Sequence, residues 1–243
     1  MRLVYTAKRA LPVESEEGTP QGGPLSPLLS NIVLDELDKE LERRGLRFVR
    51  YADDAAIYVR SPKAAQRVMR TVSRFLTRKL KLVVNEEKSE VTRPWHSKYL
   101  GFRITRFMGH TRIGIHDKSL RRFRDKVREL TARKRGRSLS HLVGELNEYL
   151  RGWAAYFAPG LSRTLAKALD HWIRRRLRAY VWKQWRLPRT KVRNLKARGI
   201  DHKWAMMVGN TRKGEWRLSK NGTLCAALPD SYFTRSLGLV LLG

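Results

Sequence analysis

Two short runs of β-forming residues, separated only by Ala52-Asp53-Asp54, constrain the fold of this chain more than any other feature of its sequence. The runs cover residues 46–51 and 55–60, and both contain bulky and branched side chains that favour strands. So short a connection leaves the two strands antiparallel and side by side. The sequence therefore predicts a β-hairpin with the adjacent carboxylates of Asp53 and Asp54 at its turn.

The turn has two chemical interpretations. Adjacent carboxylates resist joint ionisation, and a divalent cation such as Mg²⁺, which prefers hard oxygen ligands, relieves their repulsion. Asp is also a favoured turn residue, so a polar turn without any ligand explains the same residues. Taken alone, the tetrapeptide Tyr51-Ala52-Asp53-Asp54 favours the polar turn, because short motifs often match by chance.

Helices are predicted on both sides of the hairpin. Ser26-Pro27 is typical of a helix start, apolar residues follow at helical spacing, and Gly45 lies where the helix would end. Ser61-Pro62 repeats the same start signal. Further strands are predicted at residues 81–84, 98–104 and 111–116. The first 117 residues are therefore expected to mix helices and strands.

The charge of the chain is large and unevenly distributed. The 243 residues include 52 basic and 22 acidic ones, a formal net charge of +30. Residues 118–198 hold 24 basic and 5 acidic residues, whereas residues 1–117 hold 22 and 14. A polyanion would neutralise this excess, and nucleic-acid phosphates are the usual polyanion. The sequence thus predicts a boundary near residue 117 and a nucleic-acid surface beyond it.

The basic region is predicted to be helical. Apolar residues recur at helical spacing in residues 120–130, 139–157 and 165–181, and Pro188 ends the last run. Beyond that proline the periodic signal weakens, and Asn221-Gly222 is only a turn candidate. We therefore expect an α+β chain with a mixed part, a helical part and a small final part. The predicted limits of these parts are residues 1–117, 118–187 and 188–243.

Several classes of protein are excluded by composition. No apolar run approaches the roughly 20 residues of a membrane span, and the first residues lack the pattern of a secretory signal. The single cysteine, Cys225, permits neither an internal disulfide nor a Cys-rich zinc site. We therefore expect a cytosolic protein that binds nucleic acid and no membrane.

Three further motifs stand in order around the hairpin. A glycine-rich turn precedes it, and paired glycines let a backbone approach a nucleic acid or nucleotide closely. These motifs are Pro20-Gln21-Gly22-Gly23, Asn85-Glu86-Glu87-Lys88-Ser89 and Tyr99-Leu100-Gly101-Phe102. Together with the hairpin, their order and spacing closely resemble the bacterial group II intron reverse transcriptases, which are also called maturases.

The resemblance implies a fold and an activity. It implies a partial right-hand polymerase palm followed by a helical thumb, and an RNA-directed DNA polymerase that also assists intron splicing and mobility. Asp53 and Asp54 would bind catalytic Mg²⁺, and Lys88 would stabilise charge or deliver a proton. The implied partners are group II intron RNA, an RNA template, a DNA primer and a deoxynucleoside triphosphate. Contacts to the nucleotide or template–primer are implied for Gln21, Gly22, Gly23, Tyr51, Ala52, Asn85, Tyr99, Leu100, Gly101 and Phe102.

The resemblance extends into the basic region. Residues 145–157, 172–185 and 210–216 are similar to the thumb or maturase-specific region of the same family. Their aromatic side chains either pack in the core or stack on unpaired bases. Helical spacing favours the core for Trp153, Trp172 and Tyr180, and leaves Trp182 and Trp185 open. The residues expected to bind RNA are Arg133, Lys134, Arg135, Arg137, Arg174, Arg175, Arg176, Arg178, Lys183 and Arg186.

The sequence also departs from the family pattern. A complete member has fingers and an earlier palm motif with another metal-binding aspartate, and too few residues precede the glycine-rich turn to hold them. Asp35 and Asp38 on the following helix, and Asp117 beyond the strands, are not evident substitutes. We therefore expect the carboxy-terminal part of a polymerase, inactive unless a missing amino-terminal half supplies the aspartate. The alternative is a non-catalytic maturase that binds intron RNA and aids its folding.

Overall fold

The computed structural model describes residues 25–85, 89–107, 109–133 and 136–243. It divides into two compact units, one ending at Tyr99 and one covering Leu100–Gly243. Most described residues are helical, and the strands form two antiparallel hairpins, which agrees with the predicted α+β class. The domain limits predicted at residues 117 and 187 stay predictions, because compact units and functional domains need not share boundaries.

The first unit consists of two helices and a hairpin. Helix α1 covers Ser26–Arg43, strands β1 and β2 cover Arg47–Tyr51 and Asp54–Tyr58, and helix α2 covers Pro62–Arg78. The predicted hairpin is confirmed, as is the cap of α2, where the Ser61 hydroxyl accepts the Ala64 amide at 3.2 Å. Leu37, Leu41 and Val72 form the buried core, and burying each such side chain stabilises the fold by about 1.5–3 kcal/mol.

The prediction of a strand at residues 81–84 is wrong. The amide of Leu82 donates to the carbonyl of Leu76 in α2 at 3.0 Å, so the chain folds back onto the helix end. Lys81 adopts a left-handed conformation with φ +56°, which no extended strand contains. Local hydrogen bonding to the helix terminus has therefore replaced strand pairing.

The second unit is built on three long helices. A hairpin of β3, Phe102–Phe107, and β4, His110–Ile115, precedes α3, Asp117–Leu130. Helices α4, Leu139–Phe157, and α5, Arg163–Gln184, follow around a short 3₁₀ turn. All three predicted helices are confirmed, and so are the strands predicted at residues 98–104 and 111–116, although β3 begins only at Phe102. Their pairing as a hairpin was not predicted. Shorter helices complete the unit: α6 Pro188–Lys196, α7 His202–Gly209, α8 Glu215–Leu218 and α9 Gly222–Ala227.

The core of the second unit contains most of the predicted aromatic residues. Trp153 and Tyr180 are buried as expected, and Trp172 is partly buried. Trp182 and Trp185, which the sequence left open, are buried with exposed fractions of 1% and 8%. Their rings pack 5.9 Å apart, so neither is available to stack on a base.

The end of the chain is docked against α4 and α5. The Asn147 side chain donates to the Gly238 carbonyl and accepts the Val240 amide, both at 2.8 Å. The Asp170 carboxylate accepts the amides of Leu242 and Gly243 at 2.9 and 3.2 Å. Asn221, predicted only as a turn residue, instead caps α9 by accepting the Leu224 amide. None of the helices in the described residues is both long and apolar enough to cross a lipid bilayer.

Candidate catalytic hairpin and nucleic-acid surface

The hairpin turn presents its two carboxylates to solvent. Tyr51 pairs with Asp54, which leaves Ala52 and Asp53 as a two-residue loop. Ala52 has φ +53°, a conformation that a non-glycine residue adopts at a cost of about 1 kcal/mol. Asp53 and Asp54 are both exposed, so their oxygens can reach a ligand outside the unit.

Arg50 fastens this turn to helix α1. Its guanidinium donates to the Asp38 carboxylate at 2.6–3.0 Å, to the Asn31 side chain at 2.8 Å and to the Ala52 carbonyl at 3.0 Å. The hydrogen bond to Asp38 raises the pKa of Arg50 above its ordinary value. Arg50 therefore positions the turn, a role that the sequence analysis missed because the partners lie 12 and 19 residues away.

Tyr99 also contacts the hairpin. Its hydroxyl donates to the Asp54 carbonyl at 3.4 Å. Burial raises the pKa of the Tyr99 phenol, and the neighbouring Asp54 charge adds to that effect. Tyr99, which was expected near the template–primer, is thus brought to Asp54, which was expected to bind metal.

The remaining residues of that motif make contacts within the second unit. The Leu100 carbonyl accepts the Tyr156 hydroxyl at 2.9 Å, and Phe102 stacks on the Tyr156 ring. Gly101 has φ +85°, and its carbonyl accepts the Ser119 hydroxyl at 2.9 Å. In the Asn85 motif, the Asn85 carbonyl accepts the Ser89 amide and hydroxyl. Gln21, Gly22, Gly23, Lys88, Lys134 and Arg135 lie outside the described residues.

The described residues supply only part of a metal site. Among them, no group of three or more His, Cys, Asp or Glu side chains could hold a metal ion. Both aspartates of α1 already have cationic partners, because Asp38 is engaged by Arg50 and Asp35 pairs with Lys39 at 2.7 Å. A pair of catalytic Mg²⁺ ions needs oxygen ligands from more than one segment. Asp53 and Asp54 alone are therefore an incomplete donor set.

Many of the arginines expected to bind RNA make contacts within the protein. Arg174 and Arg178 both pair with Asp230, and Arg178 is buried with its Nε donating to the Leu228 carbonyl. Arg175 stacks on the Trp216 ring at 3.6 Å. Arg176 donates to the Thr131 hydroxyl at 2.6 Å, and burial lowers its pKa to about 10.

The other predicted cations differ in exposure. Lys183 and Arg133 pair with the two oxygens of Glu215, each at 3.1 Å. Arg137 pairs with Glu145, and its carbonyl accepts the Tyr180 hydroxyl at 2.6 Å. Arg186 is exposed. Their expected role in RNA binding stays a prediction, although the observed contacts give most of them a structural role.

The residues predicted to bind RNA do not include a second group of cations, which lies on α6. Arg189, Arg193 and Lys196 are exposed on α6, and their spacing of four and three residues places them on one face of the helix. The spacing can be read from the sequence. Because the apolar periodicity beyond Pro188 is weak, no helix was predicted there, and so no shared face was predicted for these cations.

Two family models match successive parts of the chain. Residues 4–104 match the model of reverse transcriptase (RNA-dependent DNA polymerase), and residues 120–199 match the group II intron, maturase-specific domain. The chain is 32% identical to Protein YkfC of Escherichia coli (strain K12), over 32% of this chain and 29% of that protein. It is 27% identical to the Retron Ec86 reverse transcriptase of Escherichia coli, over 56% of this chain and 40% of that protein.

The chain thus spans less than half the length of either curated relative. The acidic hairpin lies inside the matched reverse-transcriptase segment, and helices α4 and α5 lie inside the maturase-specific one. Both segments occur in the order that the sequence motifs indicate, so the chain combines a reverse-transcriptase segment with a group II intron maturase-specific segment.

Proposed function

We propose that this chain acts as a group II intron reverse transcriptase and maturase. In this proposal the first unit is part of a polymerase palm, and the helical unit is a thumb that binds intron RNA. The observation that carries the proposal is the hairpin turn, where Arg50 holds two adjacent, exposed carboxylates in place on α1.

Polymerisation requires more than the described residues provide. Reverse transcriptases generally use Mg²⁺, and Asp53 and Asp54 are the described side chains best placed to hold it. At least one further carboxylate would have to come from residues outside the described part or from another polypeptide. We therefore assign these two aspartates to metal binding and the Tyr99 hydroxyl to supporting the turn. The proposed substrates are an RNA template, a DNA primer and deoxynucleoside triphosphates.

A second candidate function is RNA binding without catalysis. The incomplete donor set at the hairpin favours it, as does the net charge of +19 on residues 118–198. In this alternative the chain would stabilise folded intron RNA, and Asp53 and Asp54 would be dispensable.

Primer extension on an RNA template in Mg²⁺ distinguishes the two candidates. For the first, we expect replacement of both aspartates by asparagine (D53N/D54N) to reduce extension by at least about 100-fold, because metal-held charge stabilises the transition state. Asp35→Asn is the matched control, since it removes an exposed carboxylate of the same unit that lies on α1.

Two results would contradict the polymerase assignment for this chain. One is extension that survives the double replacement, and the other is an absence of extension by the unaltered chain when a polypeptide carrying the missing palm aspartate is supplied. The second result, combined with unchanged RNA affinity and splicing assistance in the D53N/D54N variant, would favour the non-catalytic maturase.

A further inference from the structure

Helices α6 and α7 enclose an open groove on the surface of the second unit. The helices approach closely where Gly209 meets Val192, since a Cβ at Gly209 would lie 2.5 Å from the valine side chain. The groove has a volume of about 650 Å³. Val192 and Met206 give it an apolar floor, and Arg189, Arg193, Lys196 and His202 line its sides. We call this feature the α6–α7 groove.

The cations of the α6–α7 groove differ from several of those on α5, because no described acidic residue pairs with them. Within the described ranges, no carboxylate lies within 4 Å of Arg189, Arg193 or Lys196, whereas Asp230 and Glu215 neutralise cations of α5. The sequence has no acidic residue between Asp170 and Asp201. Asp201 itself is occupied in capping α7, where it accepts the Lys203 amide at 2.9 Å. Among the described residues no acidic side chain pairs with this row, so the three cations can accept an external anion.

The dimensions of the row fit an extended polyanion better than a single small anion. At 1.5 Å per residue, Arg189 and Lys196 are separated by about 10 Å along the helix axis. Successive phosphates of one nucleic-acid strand can meet such a row in turn, and each contact releases counterions.

The exposed apolar surface of α7 is a second feature that a ligand of the groove has to match. Met206 lies in the groove with 42% of its surface exposed. Flexible methionine side chains adapt to flat rings, and unpaired bases expose such rings whereas paired bases do not.

We propose that the α6–α7 groove binds an unpaired segment of RNA, with phosphates along Arg189, Arg193 and Lys196 and a base against Met206. This inference rests on the proposed function and adds to it a location and a preference for single strands. The charge complementarity of the uncompensated cations favours RNA over a protein partner or a second copy of the chain.

Equilibrium binding of a labelled 20-nucleotide oligouridine and of a 20-base-pair RNA duplex to the full chain tests the proposal. We expect the R189Q/R193Q/K196Q variant to bind oligouridine about 10-fold more weakly, with a log–log salt slope shallower by about 2, because three phosphate contacts are lost. Its duplex affinity should fall much less. The R121Q/R122Q/R124Q variant is the control for net charge, because it removes three exposed cations from α3.

A second pair of variants tests the groove itself. Met206→Glu places a carboxylate among the cations and should weaken oligouridine binding about 10-fold as well. Met207→Glu makes the same chemical change one residue away and outside the groove lining, so it should have little effect. Thermal denaturation of each variant checks that the unit remains folded.

Three results would overturn the proposal. If the α6 and α3 variants lost equal affinity for oligouridine, or if the two methionine variants did, the net charge of the chain rather than the groove would explain the binding. A change of oligomeric state in either methionine variant would identify a second copy as the occupant. Failure of the unaltered chain to bind any RNA would overturn the proposed function too, whereas the first two results would leave it intact.

Discussion

Arg50 gives the hairpin turn its fixed position. The side chain is only 12% exposed, and its guanidinium satisfies the Asp38 carboxylate, which is 22% exposed. Its further bond to the Ala52 carbonyl supports the residue that has the left-handed backbone. Breaking a partly buried charged pair leaves the remaining charge without compensation, which costs more than the pair itself contributes. The geometry of the turn that carries Asp53 and Asp54 therefore depends on a residue outside that turn.

Replacing Arg50 by methionine tests this dependence. The change keeps the apolar part of the side chain, and losing the charged hydrogen bonds should destabilise the first unit by about 2 kcal/mol. Urea denaturation followed by circular dichroism measures the loss, and hydrogen exchange at Tyr51 and Asp54 should accelerate. Arg47→Met is the control, because Arg47 is exposed at the far end of β1 and should change stability by less than about 0.5 kcal/mol. An equal effect of both changes would contradict the anchoring role.

At the scale of elements, the sequence predicted those helices and strands whose formation depends on strong local patterns. Helices α1 to α5 and the acidic hairpin follow from apolar spacing and turn residues, which act within a few positions. The short helices α6 to α9 were missed, because helices of four to nine residues depend on tertiary packing rather than on their own propensity.

The candidate site was predictable only in part for the same reason. The aspartates of the turn carry a local signal, but the pairing of Arg174 and Arg178 with Asp230 joins residues more than 50 positions apart. Sequence composition could count the cations of α5 but could not tell which of them the fold neutralises. The final segment, Leu237–Gly243, likewise gave no signal of its docking by Asn147 and Asp170.

The docking of the final segment should depend on pH through Asp170. Burial raises the pKa of this carboxyl above its ordinary value, although bonds from the Leu242 and Gly243 amides and the nearby Arg174 charge oppose the shift. A carboxyl whose pKa is higher in the folded state than in the unfolded state stabilises folding most below its unfolded pKa. That contribution is lost as pH rises through the folded pKa.

Comparison with Asp170→Asn isolates this effect, because asparagine stays neutral and its side-chain oxygen can still accept one amide. The free energy of unfolding of the unaltered chain, relative to the variant, should fall as pH rises from about 4 and then become constant. Thermal denaturation across that range measures the difference. A relative stability that rises with pH would show that the hydrogen bonds outweigh burial, contrary to this account.

At the scale of the whole molecule, the net charge of +30 is not spread evenly over the surface. Asp230 and Glu215 each neutralise two cations inside the second unit, and Glu145 neutralises Arg137. The charge left for a partner lies elsewhere, and the row on α6 is one such place. The fold thus uses one group of arginines for its own stability and leaves the cations of α6 exposed.

The most direct test of this account is photo-crosslinking of the full chain to a folded group II intron RNA, followed by mass spectrometry of the crosslinked peptides. The account predicts crosslinks concentrated in residues 118–217, including the peptide that contains His202 and Met206. The crosslinks of that peptide should be lost in the R189Q/R193Q/K196Q variant. The same peptides should crosslink in the D53N/D54N variant, because RNA binding does not need the hairpin carboxylates. Crosslinks confined to the first unit, or none above the level of an unrelated basic protein, would contradict it.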